Sequence, residues 1–491
     1  MTSPFLTIQN AVSFEASRVP ILSVEAWRQT LLENCAEGKA RITALFGETM
    51  MPDVTRVYCL LGIDSKKHLL IGAADFSGKN PVYASITPLL PEAHLFEREL
   101  YEEFGILPED HPWRKPVRKQ ENYSFYKIEG EGIHEVAVGP VHAGIIEPGH
   151  FRFQCHGEKV LHLEIQLGYQ RRGVEALMIA ADSKQQAVLA ESIVGDTVIG
   201  HGLAYCHAME GLSERSITPK RCQSLRAIAL ELERLSNHIG DLGALAGDVG
   251  FLPAAAWFGR LRGDFLNMLM ELTGNRYGRS FVMPGGVLFD ITPEMLRSFI
   301  RRLEKALTEV KELAELFFGA SSVLTRLEQT GVIKQETARS LGAVGLAARA
   351  SNLLRDVRQD YPTGIYRAHN MALVKMSTGD VYARARLRSL ESKRSLQFLR
   401  ERLEDLSADK IVQPCGMSKK GSMIVSLIEG WRGEIVHIVA TDEQGGLRRY
   451  KIVDPSFHNW KGLELAMRNG QISDFPLVNK SFNLSYAGHD L

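Results

Sequence analysis

No two of the six cysteines stand in a CxxC pair; Cys35, Cys59, Cys155, Cys206, Cys222 and Cys415 are scattered along the chain. Their spacing therefore announces neither a disulfide framework nor a thiolate metal site. An excess of either charge is also missing, since 58 Lys+Arg meet 58 Asp+Glu. A protein that neutralises nucleic-acid phosphates normally carries a basic surplus, so no nucleic-acid partner is expected. Long apolar runs are absent as well. The best candidate, AGDVGFLPAAAWFG at 246–259, is broken by Asp248, Gly250 and Pro253 and falls short of the roughly 18 residues a membrane span needs. The first twenty residues lack the basic start, apolar core and cleavage site of a signal peptide. The expected location is thus the cytoplasm. No GxGxxG follows a strand, and no GxxxxGK[ST], GxSxG or HExxH occurs, which removes the nucleotide-fold, P-loop, hydrolase and zincin readings.

What remains is 491 residues of ordinary globular composition, 45% hydrophobic and 24% charged, enough for about two to four domains. RITALFGE, TRVYCLLGI and HLLIGAADF within 41–76 are short β-rich runs separated by turns, as in a small antiparallel sheet. A helix is expected before them, near Val24–Ala36. Another is expected over 91–104, with Pro91 at its start and Gly105 just past its end. Residues 1–112 read as an α+β domain. The polar stretch 113–135, with Pro116, Gly130 and Gly132, reads as a surface linker. Residues 136–491 read as a mainly helical domain with small β-ribbons: two β-like runs at 149–169, helical spacing over 183–211, 219–247, 255–273, 293–318 and 334–358, an alternating β-ribbon over 422–455 and a last helix near 459–468.

The ionisable residues form loose clusters: His142 and His150 around Glu147, then Arg171 and Arg172, then His201, Tyr205, Cys206 and His207, then His238 and Asp248. His201 and Tyr205 stand at i and i+4 on one helical face, a phenol and an imidazole within reach of one ligand. Such groups suit a proton-coupled redox site, because a reduced quinone takes up protons as well as electrons. Each taken singly is also compatible with a hydrogen-bonded structural role. The basic run Arg384–Arg400 reads as a solvated helix face.

ERELYEEFGILPEDHPWR at 97–114 resembles the signature of the small hydrophilic subunit of respiratory complex I beside its quinone-site subunit. GPVHAGIIEPGHFRF from 139, LGYQRRGVE at 167–175, LAYCHAMEGL at 203–212, RAIALELERLSNHIGDLGALAGDVGF at 226–251 and PGGV at 284–287 resemble the quinone-site subunit itself. They are closer still to the large subunits of membrane-bound, energy-converting [NiFe] hydrogenases. The two modules are fused here, as in formate hydrogenlyase-type large subunits.

In that family two CxxC pairs hold the nickel-iron centre, soft thiolates suiting low-valent metal. The matching stretches here are ESIVGDTVIGH at 191–201 and SFNLSYAGHDL at 481–491, and the ligand positions fall on Val194, Thr197, Asn483 and Tyr486. The resemblance therefore implies no Ni-Fe centre and no tightly bound cofactor. The chain runs only a few residues past the second ligand site, so the C-terminal extension cleaved after nickel insertion in many hydrogenases is expected to be absent. The family's quinone tyrosine carries over to Tyr205 and its head-group histidine to His150, with His142 as the competing candidate. His238 and Asp248 carry over to positions near the cavity, and Arg171-Arg172 stands where many relatives have a His-Arg pair before Gly; with His142, the residues His201, His238 and Arg172 are the substrate-binding candidates. The implied activity is oxidoreduction with quinone as acceptor. Tyr205, His150 and Asp248 would be catalytic, with electrons arriving from a [4Fe-4S] cluster in a small partner subunit and NAD(H) donating only through another subunit. The implied partners are antiporter-like integral membrane subunits, with this chain peripheral on the cytoplasmic side of the cell membrane. The same resemblance admits a metal-free scaffold without substrate.

Overall fold

Residues 3–118, 123–144, 146–369 and 371–491 are described by the computed structural model. Arg41–Met51, Val54–Ile63 and His68–Ser77 form an antiparallel meander, with Leu45 opposite Cys59 and Leu60 opposite Ile71. Leu6–Ile8 adds to its edge antiparallel and Ile21–Leu22 parallel. Helix Val24–Cys35 begins at Ser23, whose side chain accepts from the Ala26 amide, and buries Trp27 and Leu31. Helix His94–Phe104 stops at Gly105, which takes the left-handed conformation that a glycine adopts cheaply. Its Glu97 is buried and accepts five hydrogen bonds from Tyr83, Ser85, Ile86 and Thr87.

Near the C-terminus, Ser422–Glu429, Glu434–Thr441 and Leu447–Val453 form an antiparallel sheet that Phe14–Glu15 extends. Successive side chains on a strand point to opposite faces. Met423, Val425, Leu427, Val436 and Ile438 thus join the buried core of the N-terminal meander, while Ile424, Ile428, Ile435 and Val439 join that of the helices. The expected polar-apolar alternation of this ribbon is not what is found: its first two strands are buried along their whole length, because both faces are covered.

Helix Lys220–Asp248 runs through the second core, packed by helices Leu252–Thr273, Val381–Glu404 and Phe475–Phe482. The helical spacing read over 183–211 resolves into two helices, Ser183–Ala190 and Val198–Leu212, separated by a loop at 191–197. Glu233 accepts from the Ile199 and Gly200 amides and so starts the second helix. The pattern at 334–358 likewise breaks. Gly345 is left-handed, and a Cβ there would meet the Arg432 carbonyl at 2.2 Å.

Two charged segments are also buried where solvation was expected. Arg384 and Arg388 lie inside, Arg384 donating to Gly379 and Gly331 carbonyls and to the Ser481 hydroxyl. At the start of the expected linker, Lys115 is buried against Glu164 and Arg118 against Glu99. Residues 119–122 of that stretch lie outside the described residues. Among the described residues no helix is long and apolar enough to cross a membrane.

Candidate functional site

Gly430 and Gly433 exchange backbone hydrogen bonds across a tight reversal between the first two strands of the C-terminal sheet, and Trp431 and Arg432 project from it. Both are buried. The Arg432 guanidinium lies 3.9 Å from the Trp431 ring centre and forks onto both carboxylate oxygens of Asp196 at 2.6 and 2.8 Å. It reaches the Thr197 hydroxyl at 3.2 Å and donates through Nε to the Asn483 carbonyl. One cation thus ties the 191–197 loop to the residue that ends helix Phe475–Phe482. Burial alone would raise the Asp196 carboxyl, but Arg432 beside it holds it below the ordinary range. Asn483 in turn donates at 2.7 Å to Asp241 on the central helix, and Arg388 and Lys480 flank the same carboxylate.

Of the four positions that the resemblance implies for metal ligands, Thr197 and Asn483 are thereby brought together by Arg432. Val194 is a buried aliphatic, the Thr197 hydroxyl already accepts from Trp431 and Arg432, and the Asn483 amide is committed to Asp241. Tyr486 packs edge-on against Trp460 and lies against Gly149. No thiolate stands at these positions, and the polar atoms of Thr197 and Asn483 are already held by Arg432, Asp196 and Asp241, so these residues do not fit a nickel-iron centre. Among the described residues no group of three His, Cys, Asp or Glu could hold a metal ion.

Residues 139–144 and 146–150 lie beside the same region, Glu147 accepting from the Tyr486 amide. His142 donates from Nε2 to the Gly149 carbonyl at 2.9 Å, and a Cβ on Gly149 would lie 2.5 Å from the Tyr486 ring. His150 opens strand His150–His156, donates from Nδ1 to the Gly139 carbonyl at 3.2 Å and stacks edge-on with Phe125. Partial burial holds its imidazole below the usual range, so it is neutral with its Nε2 lone pair uncommitted by Gly139. Arg172 donates to the Ser192 and Ile193 carbonyls, and its backbone N–H donates to the Leu491 carbonyl.

His201 faces the sheet rather than the 139–150 loop. Its Nε2 meets Asp454 Oδ2 at 3.2 Å and its Nδ1 meets His437 Nε2 at 3.1 Å, while His437 Nδ1 meets the Tyr450 hydroxyl at 2.8 Å. Tyr205, one turn further along, donates to the Ser183 carbonyl and Gln186 Oε1, and burial raises its phenol. None of its hydrogen bonds reaches His150. His238 is buried, donates to Glu391 at 3.2 Å and is pushed down to about 4 by burial. Asp248 ends the central helix, exposed, with Lys480 near it. The predicted residues thus divide: His142, His150 and Arg172 lie on or beside the segments that pack on residues 486–487, His201 adjoins Arg432 through Asp454, His238 meets the Trp431 ring edge-on, and Tyr205 and Asp248 stand apart.

Sequence reasoning missed Trp431, Arg432, Asp196, Asp241, His437, Tyr450 and Asp454. One signal existed: EIVHIVAT carries a single ionisable group in mid-strand, at His437.

Residues 28–127 match the family model of the 30 Kd subunit of respiratory-chain NADH dehydrogenase, and residues 248–419 that of its 49 Kd subunit. The chain is similar to formate hydrogenlyase subunit 5 of Escherichia coli, at 26% identity over 91% of this chain and 84% of that protein. It is also similar to the carbon monoxide-induced hydrogenase of Rhodospirillum rubrum, at 29% over 71% and 97%. An NADH-quinone oxidoreductase component of Chloroherpeton thalassium is 27% identical over 70% and 83%.

Proposed function

Since the chain fuses a domain of the complex I 30 kDa type to one of the 49 kDa type, we propose that it is a metal-free, electron-passing subunit of a membrane-associated, ion-translocating oxidoreductase. The observation that carries this reading is the Arg432 clamp, which stands among Asp196, Thr197 and Asn483 where a nickel-iron centre would need thiolates. The name of the Chloroherpeton relative supports a quinone-type acceptor.

Electrons arrive from an iron-sulfur cluster of a small partner subunit, because the six cysteines here lack the grouping a cluster requires. The acceptor lies against the 139–150 loop. His150, neutral and anchored through Nδ1, takes up a proton at Nε2 and passes it to the acceptor oxygen as negative charge builds there. Asp248 and Tyr205 belong to the proton supply. The partners are antiporter-like integral membrane subunits, this chain is peripheral on the cytoplasmic side, and NAD(H) donates only through another subunit.

A second reading rests on the saturation of the same site. With the Thr197 hydroxyl and Asn483 amide already paired, a scaffold that accepts no substrate also accounts for the geometry. Quinone reduction by membranes containing the intact complex, driven by a low-potential donor, separates the two. Turnover by the native complex, with most of the rate lost in an assembled His150→Gln variant, supports the redox reading. An assembled native complex that reduces no quinone sinks it and leaves the scaffold.

A further inference from the structure

Asp454, His201, His437 and Tyr450 form one unbranched chain of hydrogen bonds, 3.2, 3.1 and 2.8 Å long, in which no member is more than 1% exposed. From this geometry we infer that the four side chains are a buried proton conduit leading to the Arg432 region. The inference needs neither a quinone nor any other acceptor, so it stands or falls separately from the function proposed above.

The polarity of the chain is set at its inner end. Asp454 Oδ1 accepts from the Ser456 amide at 2.8 Å, and Arg432 lies near enough to help hold the carboxyl below its ordinary range. An ionised Asp454 can only accept, so a singly protonated His201 carries its proton on Nε2 and offers a lone pair at Nδ1. His437 must then donate from Nε2 and accept at Nδ1. That leaves the Tyr450 hydroxyl as donor. The environment agrees at each station, since burial keeps His437 neutral and Tyr450 protonated. Every hydrogen bond of the chain thus points one way, toward Asp454.

A chain of that polarity can shift by one proton without separating a bond pair or moving an electron. The His201 Nε2 proton passes to Asp454 Oδ2, the His437 Nε2 proton to His201 Nδ1, and the Tyr450 proton to His437 Nδ1. Both imidazoles stay neutral with inverted tautomers, Asp454 becomes neutral, and the Tyr450 oxygen takes up the incoming proton as it gives up its own, so no buried phenolate is left. The delivering end is well placed. The Gly488 backbone abuts the Asp454 carboxylate so closely that a Cβ there would fall 2.6 Å from its Cγ, and Gly488 belongs to the segment that holds Asn483 and Tyr486. At the receiving end Tyr450 lies close enough to Tyr205 and Cys206 for them to raise its phenol, and the Tyr205 hydroxyl sits under the exposed turn at Ser183.

The test follows the ring protons of the assembled complex with uniform 15N labelling, with His201→Gln and His437→Gln used to assign the signals. After transfer to D2O, a conduit exchanges the Nε2 protons of His201 and His437 at least about tenfold faster than the backbone amides of Ile438 and Val439, which wait for local opening. Tyr450→Phe, which removes one hydroxyl, should slow the His437 ring proton to the amide rate while the amides keep theirs. Ring protons in the native complex that exchange no faster than those amides would overturn the proposal. So would ring exchange that Tyr450→Phe leaves unchanged. If that variant does not fold, the native comparison alone decides.

Discussion

Arg432 holds Asp196 with a two-pronged grip, Nη1 to Oδ1 at 2.6 Å and Nη2 to Oδ2 at 2.8 Å, while its Nε holds the Asn483 carbonyl. Three directions of donation from one planar group are something a guanidinium supplies and an ammonium does not. Arg432→Lys keeps the charge but can satisfy only part of that set. The expected loss is about 2 kcal/mol of stability, read from urea denaturation, with loosened protease protection at the 191–197 loop. A variant as stable and as protected as the native chain would mean that the loops are held by packing alone.

The same cation bears on metal content. A guanidinium hydrogen-bonded to Thr197 and Asn483 disfavours a divalent ion at that place, by like-charge repulsion and by occupying the donors a metal would need. Elemental analysis of the purified complex should find nickel far below one per chain. Stoichiometric nickel that survives chelation would contradict the fit made above.

Acid sensitivity should track His238. Burial depresses its imidazole to about 4, from an ordinary value of 6.5, against the opposing pull of Glu391. Between those two values the unfolded chain binds a proton that the folded chain refuses, so stability falls as pH drops from about 6.5 to 4 and is unaffected by this group above that window. Its share is on the order of 3 kcal/mol. His238→Gln keeps a donor for Glu391 but cannot titrate. Urea midpoints measured at pH 7 and pH 5 should lie closer together in the variant than in the native chain.

Helices Leu252–Thr273 and Pro293–Gly319 were legible because each buries one apolar stripe, and a 3.6-residue period survives that arrangement. The break at 191–197 was not legible, because the start of helix Val198–Leu212 is defined by Glu233, a residue more than thirty positions away. Arg384 and Arg388 were misread for a related reason. Charge on a helix usually means water, but here carbonyls of Gly379, Gly331 and Ser481 replace it. At the site, His201 and His150 stood out through neighbours in sequence. Arg432 and Asp454 gain their meaning only from partners more than two hundred residues distant, Asp196 and His201.

The N-terminal signature offers the sharpest stability test. Glu97 is fully buried and accepts from Tyr83 Oη, Ser85 Oγ, Ile86 N, Thr87 N and Thr87 Oγ1 at 2.6 to 2.9 Å. Five donors converge on two oxygens. Glu97→Gln turns one oxygen into an NH2 that faces donors, so the variant loses hydrogen bonds and gains repulsion, at a cost of about 3 kcal/mol. Tyr83→Phe removes one donor and leaves the carboxylate otherwise paired, which should cost about 1 kcal/mol. Because Leu45 and Ile71 share a buried cluster with Val425 and Val436 of the C-terminal sheet, the damage should not stay local. Protease cleavage within 41–77 and within 422–453 should set in at the same, lowered temperature in Glu97→Gln. Cleavage confined to the first segment would show that the shared core does not couple the two sheets.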